Sequence, residues 1–144
     1  MTNKITPQEL IKLVKEEAKY LKINASIEEL ERLDFETFNP QIFTKCIYGQ
    51  MTGGCDSERS VELIQNSCVR VTSSRDYNPK DTTLNVNPFQ TKRRYYFSPI
   101  ELFVGLENNK GETVNQYNGN NIILINYLQG KTETLEFSEI NFGD

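Results

Sequence analysis

The chain has 144 residues, enough for a single domain that buries a sizeable core without a disulfide or metal staple. Hydrophobic residues at 37% and charged residues at 25% place it among globular proteins, and a net charge of −4 is too small for wholesale DNA mimicry. There is no histidine, which excludes Ser-His-Asp triads, Cys-His dyads and histidine metal ligands; any general acid or base must be Asp, Glu, Lys, Tyr or Cys.

Thr6-Pro7-Gln8-Glu9 places a cap, an N1 proline and an N3 glutamate in succession, so a helix is expected from Pro7 to about Leu21. Leu10, Leu13, Val14, Ala18 and Leu21 share one face of it, and Lys12, Lys15, Glu16 and Lys19 fall mostly on the other. The carboxylate pairs Glu16-Glu17 and Glu28-Glu29 read as solubility and helix-dipole features opposite the apolar stripe. Ser26-Ile27-Glu28-Glu29 is a capping box that opens a short helix over about 27–33. Asn39-Pro40 opens a third helix with Ile42, Phe43, Cys46 and Ile47 as its stripe. Asp56 caps a fourth over about 57–68, using Val61, Ile64 and Cys68. The glycine-rich stretch 49–54 then forms the turn of a helical hairpin, with Gln50, Met51 and Thr52 exposed at its tip.

Residues 69–97 combine two prolines with many Ser, Thr, Asn and Asp and carry a net charge of +4; they read as a long basic loop or hairpin. Ser98-Pro99-Ile100-Glu101 repeats the first capping device and opens a helix over about 98–108, followed by a turn at 108–111. The apolar run at 121–129 suits helix better than strand because Gly130 follows it as a stop signal. "KTETLEF" alternates and is expected as a short strand. Residues 98–144 carry a net charge of −5, and this dipolar pattern suits a protein partner of mixed charge better than bare nucleic acid.

Four chemistries can be weighed on these residues. Gly49 and Gly54 have the spacing of a phosphate-binding loop, but Cys55 and Asp56 stand where Lys and Ser or Thr would hold phosphate and Mg²⁺, so a nucleotide site is rejected. Cys46, Cys55 and Cys68 are spaced x8 and x12, unlike zinc sites built on close cysteine pairs, and a fourth ligand would have to be Asp or Glu; two buried thiols on facing helices is the simpler reading, with no metal or cofactor. Cys55 precedes a helix start that would lower its pKa, yet Asp56 and Glu58 oppose that shift and no histidine serves as base. Lys92, Arg93 and Arg94 followed by Tyr95, Tyr96 and Phe97 can pair with phosphates and stack on bases, or form a protein-binding hot spot.

The strings "CIYGQMTGGCDSERSVELI" and "YFSPIELFVGL…NYLQGKTETLEF" resemble those of small uncharacterised proteins of phages and mobile elements, over about residues 42–68 and 95–137. The resemblance brings no catalytic residues. It implies a protein that acts by binding a host protein, inhibitors of CRISPR and other defence systems being one such class. The expectation is therefore a mainly α, single globular domain over 1–144, with five or six helices and room for a small β-hairpin. Its expected function is non-enzymatic binding of a host protein or nucleoprotein complex in the cytoplasm of a bacterial host, with no membrane. The bet for the contact residues is Lys92, Arg93, Arg94, Tyr95, Tyr96, Gln50 and Met51. The alternatives are nucleic-acid binding through 92–97 and a thiol-dependent enzyme or redox protein using Cys55.

Overall fold

In the computed structural model, which describes residues 7–67, 98–108 and 110–139, every regular element is a helix. Seven occur among the described residues: α1 (Pro7–Asn24), α2 (Ile27–Glu31), α3 (Ile47–Thr52), α4 (Glu58–Asn66), α5 (Pro99–Val104), α6 (Val114–Tyr117) and α7 (Asn120–Leu128). The expected helical class is met; the described residues hold seven helices against the five or six expected from sequence, the four-residue α6 before α7 being one that was not foreseen. Cys68 and the segment 69–97, where a loop or hairpin was expected, lie outside the described residues, as does the cap expected at Thr6. No described helix is long and apolar enough to cross a membrane.

The capping signals at Ser26 and Ser98 and the stop at Gly130 work as read. Ser26 accepts from Glu29 N at 3.0 Å while Ser26 N donates to Glu29 Oε1 at 2.8 Å. Ser98 caps α5, accepting from Glu101 N at 3.2 Å with Pro99 in the first turn. The run at 121–129 is helical, and Gly130, at φ 76°, closes α7 in a left-handed stop: Lys131 N donates to Asn126 O at 2.8 Å and Gly130 N to Tyr127 O at 3.0 Å.

Three local expectations fail. The helix predicted from Asn39-Pro40 starts one turn and stops. Asn39 Oδ1 accepts from Gln41 N at 2.9 Å, but the chain folds back until Asn39 N donates to Lys45 O at 3.0 Å. Helix α3 begins only at Ile47, behind Cys46 as its cap, and Ile42 and Phe43 of the expected stripe are exposed. The interhelical turn is shorter than the glycine spacing suggested, because Gly49 is inside α3, and the cap of α4 is Ser57 rather than Asp56. The strand expected in "KTETLEF" does not form; residues 131–139 are irregular, and the isolated bridge Glu107–Thr113 is the β pairing present among the described residues. The alternation has a use all the same: Leu135 is buried and Phe137 packs on Phe103 with ring centroids 4.6 Å apart.

Helix α1 buries Leu10, Val14, Ala18 and Leu21 completely and packs chiefly on α5, with α7 beside it. Helix α3 joins α2, α4 and α5. Arg59 of α4 staples this N-terminal half: its guanidinium meets Glu29 in two 2.9 Å bonds, Glu62 at 2.6 Å and the Asn24 carbonyl at the end of α1 at 3.2 Å. In the C-terminal half, buried asparagines satisfy the carbonyls that α5 leaves open at its end. Asn115 Nδ2 donates to Phe103 O at 2.7 Å, Asn121 Nδ2 to Val104 O at 3.4 Å, and Asn120 links Asn115 to the Ser138 backbone. Gln129, just past α7, caps α2 from a distance, donating to Leu30 O and Leu33 O at 3.1 and 2.6 Å.

Gly49 is required by close approach, since a Cβ there would lie 2.1 Å from the Phe43 carbonyl oxygen. Helix propensity alone favours alanine by about 1 kcal/mol. The backbone clash should outweigh it, so Gly49→Ala is expected to lower stability by about 2 kcal/mol or more in urea titration. Gly54→Ala, whose Cβ would meet ordinary contacts at 3.4 Å and beyond, is the control expected to stay within about 1 kcal/mol of wild type.

Candidate functional site

The strongest polar constellation surrounds Glu17, which is 0% exposed in the middle of α1. Tyr48 Oη of α3 and Ser98 Oγ both donate to Glu17 Oε2, and Ile100 N donates to Oε1 at 3.0 Å. The expectation that Glu17 lies on a solvated face is thereby overturned. It occupies a core position one turn from Leu21 and Val14, and its charge-bearing end is met by donors from two other elements. Burial lifts its carboxyl from 4.5 to about 7, although all three hydrogen bonds pull the other way. Burial and the neighbouring carboxylate push the Tyr48 hydroxyl up as well. Glu29, likewise expected on a solvated face, is 8% exposed, and the Arg59 guanidinium holds its carboxyl down at about 2.

Directly beside this hub, the first residues of α3 and α5 bring thiol and carboxylate groups together. Cys46 Sγ, Cys55 Sγ and a Glu101 carboxylate oxygen all lie within 4.8 Å of one another. Cys46 is buried at the cap of α3 and accepts from Gly49 N at 3.4 Å. Cys55, half-buried in the turn before α4, donates its backbone N–H to Phe43 O at 2.9 Å and receives the Ser60 hydroxyl on its carbonyl at 2.7 Å. Glu101 is half-buried in the first turn of α5. The hydrogen bond with Cys55, then burial, then the Glu101 charge push the Cys46 thiol up. Sequence spacing paired Cys46 with Cys68, which lies outside the described residues; among the described residues Cys46 meets Cys55, and the carboxylate comes from a position 46 residues beyond Cys55 that no spacing rule reaches.

On the opposite side of α1, Lys12, Lys15 and Lys19 line a shallow groove of about 410 Å³ with Gln8, Ile11 and Glu16. At 100° per residue, Ile23 continues the same outward stripe, and it is 81% exposed. Ile27, at the start of α2, is 76% exposed.

The sequence-predicted contact residues fare differently. Lys92, Arg93, Arg94, Tyr95 and Tyr96 lie outside the described residues. Met51, expected at an exposed tip, is fully buried, because α3 extends through Thr52 and turns this side chain into the core. Gln50 is half-buried and engaged internally, accepting from Asp34 N at 3.0 Å and donating to Asp34 O at 2.9 Å and Thr37 Oγ1 at 3.2 Å. The outward face of α1 was visible in the sequence as a row of lysines at helical spacing, and only the exposure of Ile23 and Ile27 distinguishes it from an ordinary solvated face.

Comparison with protein-family models, curated proteins and solved structures finds no match to this chain.

The two buried carboxylates set opposite pH limbs. Glu17 holds its proton more tightly folded than unfolded, so its contribution is complete below pH 4.5 and is lost as pH rises to about 7. Glu29 does the reverse, contributing fully above pH 4.5 and losing that contribution as pH falls toward 2. Stability is expected to peak near pH 4.5 and to fall by on the order of 3 kcal/mol toward pH 7 from Glu17 alone. Glu17→Gln should flatten the limb between pH 4.5 and 7 and leave the acid limb in place, read as urea midpoints across pH. An unchanged neutral limb in the variant would remove Glu17 as its cause.

Proposed function

We propose that this chain is a non-enzymatic binding module that docks a protein partner through the outward face of α1, the partner being a host nuclease or defence complex of the kind the phage-protein resemblance implies. One observation carries the reading. A single stripe of a well-anchored helix combines Lys12, Lys15 and Lys19 with Ile23, 81% exposed, and the chain then places Ile27, 76% exposed, at the next helix start. Scattered exposed apolar residues are common on soluble proteins. A β-branched side chain left almost fully in water on the same stripe as the groove lysines, with a second exposed isoleucine four residues on in the chain, gives an apolar anchor with a charged rim. The matching partner surface is acidic with an apolar recess.

The inner face supports the same assignment. Glu17, whose carboxyl is raised to about 7 by burial, is sealed from solvent in a core position, so its raised pKa goes with a structural role.

The test is affinity capture from the native host with the full chain, followed by binding measurements on the purified partner. Lys12→Glu with Lys19→Glu, and separately Ile23→Asp, should each weaken binding about tenfold or more, about 1.4 kcal/mol, while leaving the melting temperature unchanged. Binding equal to wild type in both variants would overturn the α1 assignment. Loss of binding confined to Arg93→Glu with Arg94→Glu would move the interface to the basic-aromatic segment. A partner that proves to be nucleic acid would show affinity falling steeply between about 50 and 200 mM salt.

A further inference from the structure

We propose that Cys46, Cys55 and Glu101 form a binding site for a thiophilic divalent cation of the Zn²⁺ class. The proposal is independent of the α1 docking face. The cap of α3, the turn before α4 and, from much later in the chain, the first turn of α5 converge so that one ligand atom from each lies within 4.8 Å of the other two. Around a tetrahedral Zn²⁺, with Zn–S near 2.3 Å and Zn–O near 2.1 Å, such ligand atoms stand roughly 3.6–3.8 Å apart. Closing the triangle therefore asks for about 1 Å of movement at most, within the reach of side-chain rotation at the two half-buried ligands.

The donor set selects the metal. Two thiolates and one carboxylate favour Zn²⁺ over Mg²⁺ or Ca²⁺, which prefer all-oxygen shells. Binding exchanges two thiol protons for the cation, with the protons released to solvent. Cys46 as a thiol donates to Phe43 O at 3.7 Å, a contact given up when the metal replaces the proton, while another contact suits the thiolate form. Gly49 N donates to Cys46 Sγ at 3.4 Å, the N–H···S contact that holds a metal-bound sulfur in place. The Phe43 carbonyl accepts from Cys55 N at 2.9 Å and lies 2.1 Å from where a Cβ on Gly49 would be, so one backbone turn fixes both cysteines relative to each other. The Ser98 cap, itself tied to Glu17, sets the first turn of α5 from which Glu101 projects. Three protein ligands leave the fourth position to water.

The bland reading is two thiols packed as small apolar side chains beside a surface glutamate. It predicts no metal affinity beyond that of any exposed thiol. The experiment is titration of the reduced, metal-free full chain with Co²⁺ as spectroscopic probe and with Zn²⁺ against a chromophoric chelator. The expected result is one equivalent bound, a sulfur-to-cobalt charge-transfer band, and a rise in melting temperature on adding Zn²⁺. Cys55→Ser should weaken Zn²⁺ binding about 100-fold and diminish the band, and Glu101→Gln should weaken it about tenfold with the band retained. Both residues are half-buried, and circular dichroism of the apo variants checks that they fold. Cys68→Ser should bind as wild type. The proposal is overturned if wild type competes for Zn²⁺ no better than the Cys55→Ser, Glu101→Gln double variant. It is equally overturned if Cys68→Ser abolishes binding while Cys55→Ser keeps it.

Discussion

A carboxyl group that water cannot reach organises this protein. Glu17 sits at a position that a soluble helix would normally fill with leucine, and burying it is costly unless every lone pair is met. The structure offsets part of that cost with a phenol from α3, a hydroxyl from the residue before α5 and a backbone amide within α5. The requirement works in reverse too: those bonds tie α3 and α5 to α1 in the register that delivers the donors. A purely apolar contact would leave sliding open, whereas hydrogen-bond geometry does not.

That register has a second effect. Tyr48 lies two residues from Cys46, and Ile100 one residue from Glu101, so fixing the two donors against Glu17 also fixes a thiol and a carboxylate against each other. The same helix thus has separate duties on its two sides. Its inner face sets the alignment of the other elements, and its outer face turns Lys12, Lys19 and Ile23 to solvent.

Much of the helical framework was legible because start and stop signals are local. Ser26, Ser98 and Gly130 act through atoms within one turn of themselves, and each did what its residue type and neighbours prescribe. The failures share the opposite character. Glu17 and Glu29 looked like surface charge because the partners that justify burying them, Tyr48, Ser98 and Arg59, are 30 to 81 residues away. The abundance of asparagine read as compositional habit, yet Asn115, Asn120 and Asn121 are wholly buried and close the end of α5. Met51 was placed at a turn because three nearby glycines suggested one, but Gly49 is there for closeness to Phe43 rather than for a bend. The thiol–carboxylate corner was half-visible: the cysteines could be named, and the need for an acidic ligand stated, but not which carboxylate the fold would supply.

Gln129 carries one more implication. Its side-chain amide closes two carbonyls at the end of α2, across 99 and 96 residues of chain. Glu17 waits similarly for Ser98 and Ile100. The core around α1 and α2 therefore closes through contacts of long sequence separation, Glu17 to Ser98 and Ile100 and the α2 carbonyls to Gln129. Contacts of such separation carry a loop-closure cost that falls due before they reward the chain, so a fold that depends on them forms more slowly than a bundle of purely local helical contacts.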